Sequence, residues 1–470
     1  MNNAKRFLKS SALYFAGNVL TKVISFFLLP LYTSRIATGD MGYYDTSVSY
    51  LNILIPVICM EIWSGIMRYI YDYDDLRGKY KAVFNGMVIF GGSVVLYLAL
   101  FVALGLVADI RCLLFIFFYG LFTMLQNIYS YVARGLGYNT VFAVSGIIGS
   151  LVNSLSNIVM ILGFGMTLNS LYLAMIIGLA VQVVIMESRI HLLKNLSVKL
   201  YDSAIVKSMI RFSLPLCLNS ASYWFLSGYN RVGISNVLGY EANGLYSVAG
   251  KFTYALTLVS ICFNMAWQEL VFSKGNETDK SEFYTTASNY YIKFLAVGTI
   301  LFLPLIQLVF PVMIAEAYQD AYPTIPLYIL ATAVSIFSTF QGNIFSAEKQ
   351  TGTIFVSTLI AAVVNVALFH LLAGSLGLQA ANIALLAGFA VNVIIRMILL
   401  RKTARIRIDY PFLIGALILF GVACFVYFTR STLWNILFAL AVMALCIYLF
   451  RDLLGAAWHA VQSKLHRTDA

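Results

Sequence analysis

Charge is what this chain has least of: 31 Lys and Arg and 20 Asp and Glu in 470 residues, 11% charged against 61% hydrophobic. So few charges cannot keep the surface of a soluble domain wet, and one core of ordinary size cannot hide so much apolar surface. Cysteine is also scarce. Cys59, Cys112, Cys217, Cys262, Cys424 and Cys446 are scattered without CxxC spacing, which excludes a disulfide framework or a zinc site. The chain has no metal-ligand cluster, phosphate loop, nucleophile–base set or pair of carboxylates at catalytic spacing, so neither an enzyme nor a bound metal or cofactor is expected. The formal charge of +11 comes from short basic pieces between apolar runs rather than from one continuous face, which argues against nucleic acid as a partner.

What is present are apolar runs of about 20 residues from end to end, mixed with Gly, Ser, Asn and Thr and without strict alternation. They predict an all-α polytopic membrane protein whose immediate partner is the lipid bilayer. Splitting at charged or turn-rich breaks gives about fourteen spans, near 8–33, 43–69, 81–108, 112–133, 139–163, 168–191, 205–230, 241–268, 285–310, 321–345, 352–373, 376–400, 411–429 and 432–450. The run after MNNAKRFLKS is too long for a secretory signal and lacks a cleavage pattern, so it reads as a retained first span. With both termini cytoplasmic, the outer segments hold only Arg35, Arg111, Arg231 and Arg430 of the 31 basic residues. Lys22, Lys251 and Lys293 fall within spans, and all the others, Arg396 included, lie on the cytoplasmic side.

The basic pieces HLLKNLSVKLYDS and RKTARIRIDY divide the spans six, six and two. The expected units are an N-terminal lobe over 1–200, a second lobe over 201–402 and two extra spans with a tail over 403–470. The sixes resemble each other. Setting Gly42 on Gly244 aligns "MGYYDTSV" with "NGLYSVAG"; "VNSLSNIV" from Val152 matches "VNVALFHL" from Val364, and "GLAVQVVIM" from Gly178 matches "GFAVNVIIRM" from Gly388. Six is even, so the two bundles run parallel and suit alternating access about a shared cavity.

Polar side chains that could line that cavity recur at helical spacing. The first span, "SSALYFAGNVLTKVISFFLLPLY", carries Asn18 and Lys22 on one stripe; the second carries Asp45, Ser49, Asn52 and Pro56; Asn219 follows Pro215 on the seventh; Lys251 and Tyr254 lie on the eighth. At a rise of about 1.5 Å per residue, Lys22 lies roughly 20 Å into the bilayer and Lys251 roughly 15 Å from its outer face. A lipid-facing lysine there would cost about 3 kcal/mol or more, so each should meet a carboxylate such as Asp45 or Glu61, or line a wet cavity that accepts an anionic substrate. Arg35 and Arg231 would form a cationic rim or simply snorkel. Glu61 is seven residues from Arg68 and could pair with it; Asp45 and Glu61 are also the candidates for carrying a coupling ion. His370 reads as packing, and Pro56 and Pro215 as candidate hinges or ordinary kinks.

Two stretches carry a resemblance. "RFSLPLCLNSASYWFLSGYNRVGISNVLGYEANGLYSVAGKF", residues 211 to 252, resembles the start of the second lobe in polysaccharide flippases of the multidrug/oligosaccharidyl-lipid/polysaccharide exporter superfamily, and "GNVLTKVISFFLLPLYTSRIATGDMGYYD" is similar to that family's first span and loop. The resemblance implies a transporter of polyprenyl-pyrophosphate-linked oligosaccharide, moving it from the cytoplasmic to the outer leaflet of a bacterial inner or plasma membrane for surface polysaccharide synthesis. It implies that cavity cations meet the pyrophosphate, that the last two spans border a path for the lipid tail, and that glycosyltransferases or a polymerase are partners. Two cousins remain alternatives: a multidrug exporter, though that branch characteristically needs acidic residues in its lobes and the first span here has Lys22 and no carboxylate, and a peptidoglycan-precursor flippase, whose arginine-rich cavity is not matched. A membrane polymerase is disfavoured because the outer loop with Glu316 and Asp320 is only about ten residues long.

Overall fold

The computed structural model describes residues 23, 24, 26–273, 281–348 and 350–451. Every regular element among them is helical, as a bilayer demands of a chain whose backbone groups must be satisfied locally. We label the main helices α1 (Leu29–Arg35), α2 (Thr38–Ile58), α3 (Ile62–Ile70), α4 (Leu76–Val107), α5 (Leu113–Gly135), α6 (Asn139–Ile158), α7 (Leu168–Ile190), α8 (Ser203–Ser227) and α9 (Tyr229–Val237). They continue as α10 (Tyr240–Lys251), α11 (Tyr254–Ser273), α12 (Ser281–Met313), α13 (Ile325–Ala347), α14 (Thr351–Leu376), α15 (Leu378–Thr403), α16 (Tyr410–Phe428) and α17 (Thr432–Leu449).

Among the described residues ten helices are long and apolar enough to cross a bilayer, or eleven when α2 and α3, bent by 50°, count as one span. The chain is a multi-pass membrane protein. Three of the fourteen expected spans account for the difference. The first lies mostly outside the described residues. The seventh, α8, is 25 residues long but carries Lys207, Arg211 and a run of Ser and Asn. The eighth is divided: α10 ends at Lys251, Phe252 and Thr253 turn through bonds to Ala249 and Gly250, and α11 begins at Tyr254.

The bend between α2 and α3 has a local cause. Pro56 removes one ladder donor, and the chain then places Met60 and Glu61 at φ 50° and 53°, a left-handed conformation that non-glycine residues avoid. The Glu61 N–H donates to the Pro56 carbonyl. Pro215, by contrast, sits inside an uninterrupted α8.

One kind of helix contact occurs twice. A Cβ on Gly178 would meet the Gly149 carbonyl and Asn153, and a Cβ on Gly388 would meet the Ala361 carbonyl and Asn365. These are equivalent crossings of α6 with α7 and of α14 with α15. Between the halves, α2 meets α10 at the two glycines the alignment pairs. A Cβ on Gly42 would lie 1.7 Å from the Tyr240 carbonyl oxygen, and one on Gly244 would lie 2.0 Å from that of Thr38. Each glycine thus packs on the carbonyl four residues before the other, the reciprocity of an interface around a two-fold axis.

The segment between α7 and α8 is docked rather than loose. Fully buried Asn85 of α4 donates to the Leu200 carbonyl and accepts from the Asp202 N–H, while Lys81 pairs with Asp202 at 2.7 Å. Bonds from Lys81 and from the Ala204 N–H hold the Asp202 carboxyl below the ordinary carboxylate range. The last two helices are the least buried spans and lie against α12. Tyr322 and Tyr427 fasten them, each hydroxyl donating to the other residue's carbonyl, at 2.7 and 3.1 Å, with their rings stacked.

Arg396 departs from expectation. It is not a loop residue but a buried side chain of α15, 4% exposed, whose guanidinium donates to the Ser338 carbonyl at 2.6 Å, Ser357 Oγ at 3.0 Å and Thr358 Oγ1 at 3.2 Å. The planar fork ties α13, α14 and α15 together, a task an ammonium group cannot copy. Arg396→Lys is expected to lower unfolding free energy by about 2–3 kcal/mol, since buried acceptors lose their donors. Thermal unfolding in detergent measures this, and an unchanged midpoint would rule out the clamp.

Candidate functional site

Between the halves, α2 and α3 of the first face α8 and α9 of the second across a cleft of about 500 Å³. It holds Ser49, Asn52, Pro56 and Glu61 from one side and Asn219, Ser220, Tyr223, Trp224 and Arg231 from the other. The stripe on α2 explains one wall: residues three and four apart share a helix face, so Ser49, Asn52 and Pro56 align. From Ser49 to Pro56 the helix rises about 10 Å, and Glu61 follows beyond the bend. The walls of the cleft are joined by hydrogen bonds. Trp224 Nε1 donates to the Ser49 carbonyl at 2.8 Å, and Ser49 Oγ donates to that of Gly228 at 3.0 Å.

The two ends of the cleft carry opposite charge. At one, Glu61 Oε1 accepts from Ser220 Oγ at 2.6 Å and Oε2 from Ser64 Oγ at 3.3 Å. The strained backbone at Met60 and Glu61 aims this carboxylate inward, and such strain tends to be kept where it serves a function. Glu61 does not pair with Arg68, which bonds to Asp72 one turn on. At the other end, Arg231 Nη1 donates to Asp45 Oδ1 at 2.8 Å, an ion pair across the halves. The Arg231 side chain is 30% exposed and that of Asp45 10%. Asp45 Oδ2 is buried with no hydrogen-bond partner among the described residues. Lys251, at the end of α10, donates to the Tyr254 hydroxyl at 3.1 Å. Asp45 and Arg231 lie within electrostatic range of both Lys251 and Tyr254.

The structure therefore brings Asn52, Asn219, Glu61 and Arg231 into one cleft, with Asp45, Lys251 and Tyr254 clustered beside Arg231. Arg35 stands apart, exposed at the end of α1. Asn18 and Lys22 lie outside the described residues. The partner of Arg231 is a carboxylate 186 positions away, which no local spacing reveals. The spacing of α8 could have flagged Trp224 and Ser220, one turn apart on the stripe that holds Asn219 and Tyr223. His370 bonds to Tyr229 at 2.6 Å, away from the cleft.

A second cavity, of about 560 Å³, is an apolar groove between α12, α13, α15 and α16, with Leu295, Phe337, Met397, Leu413 and Phe420 among its walls. At one end of the contact between halves the glycine crossing and Tyr43, packed edge-on against Tyr240, adjoin a further cavity of about 650 Å³, which Asp40 and Arg111, paired at 2.7 Å, also line.

No protein-family model matches the sequence, and no curated protein matches it. Solved structures do match the fold. A lipid II flippase, MurJ, in an inward closed conformation superposes with a TM-score of 0.68 at 15% identity, over 95% of this chain and 100% of that one. An inward-facing multidrug resistance transporter of the MATE family, in the MOP superfamily, gives 0.65 at 14% identity over 83% and 98%. An outward-facing structure of that kind gives 0.54 at 14% identity over 85% and 95%. The chain thus has the membrane fold that these transporters share.

Proposed function

We propose that the chain is an alternating-access flippase for polyprenyl-pyrophosphate-linked oligosaccharide, moving it from the cytoplasmic to the outer leaflet of a bacterial inner membrane. One observation carries this reading: Arg231 opens onto a cleft rich in hydroxyl and amide groups, with Lys251 within electrostatic range of it. In a low-dielectric site two cations attract a diphosphate far more strongly than in water. Asn52, Asn219, Ser220 and the aromatic faces of Tyr223 and Trp224 suit sugar hydroxyls and rings. The groove against α16 supports a path for the prenyl tail, and the fold shared with a lipid II flippase agrees with a lipid-linked cargo.

In this scheme residues 1–200 and 201–402 form two rocking lobes, 403–470 flanks the tail path, and both termini are cytoplasmic. Lys22 and Asn18 of the first span complete the cationic, amide-lined wall, and Arg35 stays at the outer rim. Asp45 and Glu61 are the candidates for ion coupling. The glycine crossing then lies outward, and the higher TM-scores to inward structures are consistent with a cavity that fills from the cytoplasm. Glycosyltransferases and a polymerase would supply and consume the cargo. Glu61, a carboxylate within the cleft, favours the rival reading of a cation exporter.

Reconstituted flipping of lipid-linked oligosaccharide tests the assignment. Lys22→Ala and Lys251→Ala are each expected to lower the rate about tenfold to a hundredfold, the worth of a charge-assisted bond, with Lys→Arg retaining most activity. Full activity in both alanine variants would refute the cavity assignment, and transport of lipophilic cations alone would favour the exporter.

A further inference from the structure

A group of cations stands at the mouth of the apolar groove, away from the cleft. Arg401, near the end of α15, lies 5.3 Å from the centre of the Tyr410 ring, and Lys293 of α12 lies 5.5 Å from that of Phe412. Tyr410 lines the groove, so both cations are held over aromatic faces where α16 begins. The strap between α15 and α16 adds Arg405 and Arg407, and it is pinned to α12. Ser281 Oγ donates to the Arg405 carbonyl at 3.1 Å, while Asn289 donates to the Arg407 carbonyl and accepts from the Asp409 N–H, both at 2.9 Å. Ile406 is buried, which leaves the side chains of Arg405 and Arg407 exposed on either side of it. Arg405 takes a left-handed φ of 50°, a strain that packed surroundings must sustain. The carboxylate of the strap, Asp409, caps α16 by accepting from the Phe412 N–H at 3.1 Å. Among the described residues none of Lys293, Arg401, Arg405 and Arg407 is ion-paired.

We propose that the groove and these cations form one site for a glycerophospholipid with an anionic head group, drawn from the leaflet that the Lys and Arg excess assigns to the cytoplasm. The head group meets the cations and one acyl chain fills the groove. Size selects this occupant. From Tyr410 to Phe420 along α16 the groove runs about 15 Å, half of the roughly 30 Å hydrocarbon core and so the depth of one leaflet. A helix about 10 Å across would fill about 1,200 Å³ over that length, twice the groove's 560 Å³, so a partner's span does not fit whereas a hydrocarbon chain does. Ile394 and Leu417, 56% and 53% exposed, line it from α15 and α16 and leave it open to a chain from the bilayer. A polyprenyl cargo matches the mouth less well: under the proposed function its diphosphate sits in the central cleft, which shares no wall residue with the groove. A phospholipid carries head and chain in one compact molecule. The site does not depend on the identity of the cargo; in the transport scheme a prenyl tail enters the groove by displacing this chain. Since α16 packs on α12 and α17, the bound lipid also fills the gap between α16 and α15.

The full chain, freed of lipid in a neutral detergent, would be titrated with phosphatidylglycerol and with phosphatidylcholine of the same chains, and native mass spectrometry would count the molecules retained. The wild type is expected to hold one phosphatidylglycerol about tenfold to thirtyfold more tightly than phosphatidylcholine, the attraction of two nearby cations for a net negative head group. Lys293→Gln combined with Arg401→Gln should remove that preference. Ala390→Phe, on the groove wall, leaves the cations in place and should lower retention of phosphatidylglycerol about tenfold or more by taking the chain's space. Equal retention of the two lipids by the wild type overturns the site, as does unchanged retention of phosphatidylglycerol in either variant. Polyprenyl diphosphate held more tightly than phosphatidylglycerol, and lost in the same variants, would give the site to the cargo and overturn the phospholipid. Should Ala390→Phe not fold, the wild-type preference and its loss in the mouth variant decide.

Discussion

Arg231→Gln is expected to abolish binding of a diphosphate-linked head group and to destabilise the protein by about 1–3 kcal/mol, the cost of leaving a mostly buried acceptor without its donor. The stability loss falls on Asp45, whose side chain is 10% exposed and already has one oxygen without a partner among the described residues. The double variant Asp45→Asn, Arg231→Gln removes the stranded charge and should recover most of the stability, because a neutral pair can bond across the same gap. It should not recover binding. Thermal unfolding and head-group titration, measured on the same samples, separate the two effects. A single variant as stable as the wild type would mean that the pair is solvated and unimportant, and a double variant that still binds would remove Arg231 from the site.

The second large effect is expected at the glycine crossing. An alanine at position 42 would place its methyl group 1.7 Å from the Tyr240 carbonyl oxygen, and one at 244 would place it 2.0 Å from that of Thr38. Neither carbonyl can yield without moving a helix. Overpacking of this kind costs about 1–3 kcal/mol, and it outweighs the roughly 1 kcal/mol that alanine gains over glycine inside a helix. Because the contact is reciprocal, Gly42→Ala and Gly244→Ala should behave alike: a lower unfolding midpoint, and readier labelling of a cysteine placed at Thr38 as α2 and α10 part. Gly92→Ala, where an added Cβ meets nothing within 4 Å, is the control and should be neutral or stabilising. Equal behaviour of Gly42→Ala and Gly92→Ala would show that the crossing is not close-packed.

The helical class, eleven of the span positions and the correspondence of Gly42 with Gly244 were legible because they depend on local composition and on order along the chain. Apolar runs of bilayer length admit one answer in lipid, and a repeat leaves its register in the sequence. Breaks were harder to read. Nothing in "ICMEIW" announces that Met60 and Glu61 take left-handed conformations, since neither residue is a turn former. Partners were hardest. Asp45 was identified as a polar residue on a stripe, but its pairing with Arg231 depends on how two halves meet, and that is tertiary information. Arg396 was misassigned for a related reason. Four residues from the expected end of its span, it could as well have reached the interface as turned inward, and only the hydroxyls and carbonyls of α13 and α14 decide for burial.

The central claim is that the cluster beside the cleft is built for an anion, and direct binding measures it. Nanodisc-embedded protein would be titrated in parallel with a polyprenyl-diphosphate oligosaccharide and with a lipophilic phosphonium cation. The account predicts saturable binding of the anionic lipid, weakened about tenfold or more by Lys251→Ala, and no saturable binding of the cation. Tight binding of the cation, lost on Glu61→Gln, together with indifference to the anionic lipid, would contradict it.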